Sequence, residues 1–184
     1  MAEPISTPMT IDTFIPWAEQ IPDIRYELVH GKPRAKPLNT VGHGLIVGNL
    51  IGELGGRLHK PFRGLMGCGV RFDDRDECLY SPDFTVTGTP YDPHAYWVRL
   101  PVLIVEVLSE STATHDRGTK VPDYMRIPSV QEILLVDSRA PRVQLWRRDG
   151  TRWIVEDFAD TATLPLASVG VDLPIPALYE GVAL

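Results

Sequence analysis

The sequence predicts an α/β or α+β domain, a central mixed sheet flanked by helices. Three observations carry that expectation. Val102–Leu108 is almost continuously apolar, as a strand covered on both faces must be. Short β-type runs alternate with turn signals through residues 65–87 and 132–156. Two stretches with helical character, 40–58 and 116–126, stand between them.

Taken in order, Thr10–Gln20 reads as a short helix capped by Thr10 and made irregular by Pro16. RYELVHGKPRAKP follows, a hairpin turning at His30-Gly31. Thr40–Leu58 is the clearest helix, with Val47, Leu50, Ile51, Leu54 and Leu58 on the 3.6-residue period. Gly42, Gly44, Gly48 and Gly52 weaken it and leave room for another backbone, and Gly55-Gly56 marks fraying. Leu65–Phe72 and Cys78–Tyr80 read as strands around the charged turn DDRDE, and Phe84–Thr87 resumes after Pro82-Asp83. Gly88–Leu100, rich in Pro and aromatics, has the composition of a lid loop. After the Val102–Leu108 strand, Ser109–Asp116 leads into a helix reaching about Arg126. Glu132–Val136 is a strand, and Arg142–Arg147 with Trp153–Glu156 form a hairpin turning at Asp149-Gly150. The tail, with Pro165, Pro174 and Pro176, reads as irregular.

The 184 residues fit one domain, with a core over about 10–148 and an irregular extension over 157–184. No apolar run is long enough to span a membrane, and Met1–Thr10 has neither the basic start nor the apolar centre of a secretion signal. A soluble, cytoplasmic protein is expected. Cys68 and Cys78 are then reduced thiols, and neither belongs to a CxxC pair, which argues against a structural zinc site. The net charge of −6 does not announce a nucleic-acid binder. The charge is uneven, however. Residues 139–152 hold five arginines and one acid, while 153–184 hold five acids and no base. That pattern is a solvated strand pair beside an acidic tail, or a basic edge for a phosphate backbone.

Glu106 is the most informative position. It sits inside PVLIVEVL, where an unpaired carboxylate would cost several kcal/mol or be forced to protonate. A metal ion, a basic partner or a raised pKa must compensate. Asp83 follows Pro82 at the start of a neighbouring strand, and Pro ends the ladder there. Two adjacent strands can therefore aim Asp83 and Glu106 at one point. Such oxygen ligands suit Mg²⁺ or Mn²⁺. Glu27, taken alone, reads as an exposed strand charge.

The ordered set Tyr26-Glu27-Leu28 with Gly31, His43, Pro82-Asp83, Glu106-Val107-Leu108-Ser109, Asp116-Arg117-Gly118 with Lys120 and Tyr124, Glu132, and Val136-Asp137 resembles the Uma-two family of endonucleases. That family is itself similar to the PD-(D/E)xK restriction-endonuclease-like superfamily. The likeness covers about residues 10–148. It implies a restriction-endonuclease-like fold and a metal-dependent hydrolase cutting nucleic-acid phosphodiesters, DNA by expectation, as a homodimer. It further implies Asp83 and Glu106 as metal ligands, with Glu27 and Lys120 completing the catalytic set. His43, Asp116 and Tyr124 are possible supporting residues.

Two departures stand out. Leu108 occupies the superfamily's usual lysine position, and Lys120 on the following helix matches the migrated lysine. Asp116, Lys120 and Tyr124 share a helix face by spacing, but Pro122 between them requires a helix start near 119–121 or a kink. Without the resemblance, Lys120 is a surface lysine, and His43 and Tyr124 are packing residues. On the full set, Mg²⁺ on Asp83 and Glu106 would activate water, and Lys120 would orient it. The competing readings are a nuclease-like binding module without turnover, and an interaction protein in which Glu106 is only a buried ion pair.

Overall fold

The computed structural model describes residues 7–160 and 162–184; the reading of Met1–Thr10 falls mostly outside them. Helix α1 spans Ile11–Glu19. The Thr10 backbone N–H donates to Thr13 Oγ1 (3.0 Å), so the helix start is closed by a residue one turn in. The helix continues through Pro16. Strands β1 (Tyr26–Val29) and β2 (Lys32–Ala35) form the expected hairpin. Its turn residues are both left-handed, His30 at φ 47 and Gly31 at φ 78, as a two-residue hairpin turn matched to strand twist requires. Gly31 also leaves no room for a side chain, since a Cβ there would sit 2.6 Å from Pro8 Cβ.

Helix α2 spans Val41–Gly55, and Thr40 Oγ1 accepts from the His43 backbone N–H at 3.2 Å. Its buried side is His43, Ile46, Leu50 and Leu54, so of the predicted stripe only Leu50 and Leu54 are fully buried. Val47, Ile51 and Leu58 are only partly buried, and Leu58 lies beyond the helix end. The helix is apolar on more than one side, so the buried face is turned from Val47 and Ile51 toward His43 and Ile46. Its glycines admit no second backbone either: Gly44, Gly48 and Gly52 have nothing within 4 Å of a Cβ position.

The segment 65–72, expected as one strand, is divided between two sheets. Strand β3 (Arg63–Leu65) joins one and β4 (Gly69–Phe72) the other, with left-handed Gly67 (φ 68) between them. Strands β5 (Arg75–Tyr80) and β6 (Phe84–Thr87) follow. The candidate lid contains a short strand, β7 (Trp97–Val98), parallel to β4. Then come β8 (Pro101–Leu108), a helical segment over 113–124, β9 (Glu132–Asp137), β10 (Arg142–Asp149) and β11 (Arg152–Ala159). The last hairpin turns on Gly150-Thr151, one residue later than expected, because Asp149 still pairs with Arg152.

A six-stranded sheet, β11-β10-β9-β8-β6-β3, lies in the middle. Only β8 and β9 run parallel within it. Leu103, Val105 and Val107 of β8 point to one face, where α2 packs. Ile104 and Leu108 point to the other, against the 113–124 segment and a second sheet, β2-β1-β5-β4-β7. Helix α1 covers the outer face of that second sheet through Ile11, Phe14, Leu28 and Leu79. The single sheet of the prediction is therefore two larger sheets, and Glu106, with the parity of Ile104 and Leu108, points between them.

The tail is ordered into β12 (Thr163–Leu166), β13 (Val171–Pro174) and α5 (Ile175–Leu178). Leu164, Leu173, Ile175 and Leu178 are fully buried in the same cluster as α2. The prolines sit where they are tolerated, in a two-stranded ribbon with free edges and at a helix start. These residues complete the core. Leu173→Ala is accordingly expected to destabilise the chain by about 2–5 kcal/mol in urea unfolding, the range for a buried Leu deletion. A loss below about 0.5 kcal/mol, ordinary for surface positions, would mean the tail is dispensable.

Candidate active site

β6 and β8 bring the first two carboxylates together. They run antiparallel with Phe84 opposite Val105, so one further step sets Asp83 opposite Glu106. Pro82 has no N–H and ends the ladder, which frees Asp83 to turn its carboxylate across. Asp83 Oδ2 accepts from the Val107 backbone N–H at 2.8 Å. Its other oxygen, Oδ1, faces His43 Nε2 at 3.5 Å and Lys36 Nζ at 3.9 Å. The His43 contact lacks the alignment of a hydrogen bond, and both of its buried ring nitrogens are without a partner.

The helical segment supplies the cation. Helix α3 (Ala113–His115) runs into a π-helical turn, Asp116–Lys120, and then into α4 (Val121–Tyr124). The Val121 N–H reaches five residues back to the Asp116 carbonyl. Pro122 then falls in the first turn of α4, where its missing N–H does no damage. The predicted kink is thus a π-turn, a local widening found often at functional sites. It points Lys120 inward: the residue is 2% exposed, not a surface lysine. Its ammonium lies 2.8 Å from Glu27 Oε1, 3.0 Å from Glu106 Oε1 and 3.5 Å from Asp116 Oδ1. Tyr124 OH donates to the same Glu106 oxygen at 2.7 Å.

Glu27, expected to be exposed, is 3% exposed. In β1 its parity is that of Val29, so it faces the gap between the sheets while Leu28 faces α1. Glu27 Oε1 also accepts from the Ser81 N–H at 2.8 Å. Lys36, just past β2, donates to the Ser81 carbonyl at 2.5 Å and stands 3.8 Å from Glu27. The structure thus gathers Glu27, His43, Asp83, Glu106, Asp116, Lys120 and Tyr124 around one small cleft, joined by Lys36, Asn39 and Thr112 at its rim.

One buried ammonium faces three carboxylates here, and that imbalance sets the electrostatics. Burial, with Asp83 and Asp116 nearby, outweighs Lys120 and pushes the Glu106 carboxyl up to about 8. Burial opposes the Lys120 charge, but Glu106, Glu27 and Asp116 hold its ammonium well above its ordinary range. Burial and the neighbouring carboxylates also raise Tyr124, so it stays a donor. Asp83 goes the other way. Burial raises it, but His43, Lys36 and the Val107 N–H together hold it below the usual carboxylate range.

The donor set fits a hard divalent cation. Glu106 Oε2 and Asp83 Oδ1 make no hydrogen bond among the described residues, while each partner oxygen is held in place. Among those residues no three of the site's carboxylates bring oxygens within 4.8 Å of one another. A two-carboxylate site completed by waters and phosphate is the usual arrangement for Mg²⁺. Lys120 donates to Glu27 and Glu106 and lies 3.5 Å from Asp116 without a hydrogen bond, so it positions Glu106 with two of its three donors.

Lys36 escaped the sequence reading because nothing separates it locally from the chain's other bases; only the β2 exit brings it to Asp83. Of the five arginines at 139–152, Arg147 and Arg148 are spent on structure, while Arg142 and Arg152 are exposed. Arg147 binds Glu132 (2.9 Å) and Glu156 (3.1 Å), and Arg148 binds the carbonyls of Met125, Ile127 and Val130. Buried carbonyls and Glu132 need those donors, which leaves them no phosphate role.

A family model described as "Uma2: Putative restriction endonuclease" matches residues 11–176. Two proteins of Synechocystis sp. are similar. Protein slr1290 is 35% identical over 104 residues, 55% of each chain. Protein sll1609 is 41% identical over 110 residues, 58% of this chain and 60% of its own. The alignments span little more than half the length of these curated relatives. A crystal structure of "a putative nuclease belonging to DUF820" from Anabaena variabilis ATCC 29413 superposes with a TM-score of 0.74 at 19% identity, covering 96% of this chain and 100% of that one. The fold is that of restriction-endonuclease-like proteins.

Two outcomes follow for the metal-free protein. Lys120→Met leaves the buried carboxylates without their cation and is expected to cost about 3–5 kcal/mol at neutral pH, read by urea unfolding. A cost near zero would mean the ammonium is not needed. Glu106 binds its proton more tightly folded (about 8) than unfolded (4.5). Its contribution is therefore fully present below pH 4.5 and is lost as pH rises through about 8. Stability of the parent relative to Glu106→Gln should fall across that window; a pH-independent difference would contradict the raised carboxyl.

Proposed function

The chain belongs to the Uma2 family, and from that premise we propose that it is a Mg²⁺- or Mn²⁺-dependent endonuclease that hydrolyses phosphodiester bonds in DNA. The observation that carries this reading is the convergence of Asp83 and Glu106 on one cleft, each with one oxygen held and one free, beside two lysines.

Asp83 and Glu106 would hold the metal, each offering its carboxylate oxygen that makes no hydrogen bond among the described residues. When bound, Mg²⁺ polarises a phosphoryl oxygen and acidifies a coordinated water. The Val107 N–H fixes the Asp83 carboxylate, and Lys120 with Tyr124 fixes Glu106, so both ligands are positioned before substrate arrives. Among the described residues Lys36 has the Ser81 carbonyl as its one hydrogen-bond partner, and it stands at the cleft mouth. It is the ammonium placed to offset charge developing on the phosphate. His43, without a hydrogen-bond partner among the described residues, lies beside Asp83 at the cleft and could hold or take up a proton there. Glu27 ties Lys120 to the Ser81 backbone. A homodimer accords with this reading, since cutting both strands of a duplex needs two such sites.

One observation favours a binding protein without turnover. Lys120, the counterpart of the family's lysine, is engaged by three carboxylates. The two readings separate in one assay. Supercoiled plasmid, linear duplex, single-stranded DNA and RNA are each incubated with Mg²⁺ or Mn²⁺, and with chelator. Cleavage is expected with metal only, and Asp83→Asn and Glu106→Gln should each reduce it by at least about 100-fold without changing the circular dichroism. Undiminished cleavage by Asp83→Asn would refute the mechanism; Mn²⁺ binding with no cleavage of any substrate would select the binding protein.

Metal affinity should also depend on pH. Metal displaces the Glu106 proton, so Mn²⁺ affinity is expected to rise about tenfold per pH unit up to about pH 8 and then level off. Isothermal titration in buffers of different ionisation enthalpy counts the released proton. Affinity flat from pH 6 to 8 (roughly the window set by that carboxyl) would mean Glu106 is not a ligand.

A further inference from the structure

A second group of ligand-type side chains lies outside the cleft. His30 in the β1–β2 turn, Cys78 in β5 and Asp123 in α4 bring one ring nitrogen, one sulfur and one carboxylate oxygen within 4.8 Å of one another. We propose that these three residues bind a zinc ion that clamps the β1–β2 turn to α4.

The ligand chemistry selects the metal class. One imidazole, one thiolate and one carboxylate make a mixed N, S, O set suited to Zn²⁺, not to Mg²⁺. A water in the fourth position completes the tetrahedron. Cys78 and Asp123 are buried, whereas the His30 side chain is 50% exposed and gives the ion an entry path. His30 also holds a left-handed backbone at φ 47, an uncommon conformation for a residue that is not glycine. The two-residue hairpin turn imposes that conformation and fixes where the imidazole starts.

The surrounding groups orient the carboxylate. Asp123 Oδ2 receives Tyr80 OH at 2.5 Å and lies 2.8 Å from His30 Nε2, and Oδ1 receives Arg75 at 3.2 Å. Ligands at about 2.0–2.3 Å from one zinc stand about 3.3 Å or more apart. The His30–Asp123 contact must therefore open by about half an ångström, a small movement for a half-exposed turn residue. Burial keeps the Cys78 thiol protonated in the metal-free chain. On binding, the S–H bond breaks, its proton passes to solvent, and the thiolate donates its electron pair to zinc. Two anionic ligands then balance the ion, and Arg75 remains beside the site as an outer cation. The absence of a CxxC pair does not argue against this arrangement, because its ligands come from three separate elements. The consequence reaches the cleft: β1 carries Glu27, and α4 follows Lys120 and carries Tyr124.

The test uses the full chain stripped with chelator. Zinc is titrated against a competing chromophoric chelator, and cobalt(II) is added separately as a spectroscopic probe. One zinc equivalent, a raised melting temperature and a thiolate-to-cobalt charge-transfer band are expected. Cys78→Ser and His30→Gly should each weaken zinc binding by roughly 100-fold or more, beyond the loss from a mere outer partner. His30→Gly suits the left-handed turn, so it remains informative if Cys78→Ser fails to fold. Asp83→Asn should bind zinc like the parent, which separates this site from the cleft. No zinc uptake, parent-like binding by His30→Gly, or a cobalt spectrum without the thiolate band would each overturn the proposal.

Discussion

One ammonium group, that of Lys120, sits in the gap between the two larger sheets with Glu27, Glu106 and Asp116 around it. Each partner comes from a different place: β1, β8 and the π-turn. Buried charges are tolerated only when paired, and desolvation makes any incomplete pairing expensive. The register of β1 against β5, the aim of the π-turn and the inward direction of Glu106 must therefore all be satisfied together. Packing sets the same register, since a one-residue slip of β1 would turn buried Leu28 away from α1.

The same cluster shapes the chemistry. Three carboxylates around one lysine leave residual negative charge, and the structure relieves it by raising Glu106 while Asp83 stays ionised. A divalent cation would relieve it more completely. The site is thus electrostatically unfinished, a condition common in metal centres and uncommon in purely structural ion pairs. Membership of the Uma2 family is the premise on which the proposed phosphodiester chemistry rests.

Legibility in the sequence followed locality. Glu106 announced itself because a carboxylate in an apolar strand has few physical explanations, and Pro82 marked Asp83 as the end of a ladder. The His30-Gly31 turn was equally readable, since two left-handed residues need a recognisable dipeptide. The C-terminal ribbon was not. Pro165 lies within β12 and Pro174 ends β13, and a pattern that breaks strands in a sheet interior is harmless at a free edge. The buried side of α2 was legible at Leu50 and Leu54 but not at His43 and Ile46, because a helix apolar on several sides can turn inward by a fraction of a turn.

Alone, the sequence determined most elements between residues 10 and 159 and marked Asp83 and Glu106, because these depend on local backbone chemistry and on the cost of burying charge. An ordered set of motif residues carried the family resemblance. Only the tertiary structure decided that Lys120 faces inward through a π-turn, that Glu27 is buried, that Lys36 guards the cleft, and that His30, Cys78 and Asp123 meet. Those outcomes rest on contacts between segments far apart in the chain, where side-chain direction is set by sheet parity and packing instead of by neighbouring residues.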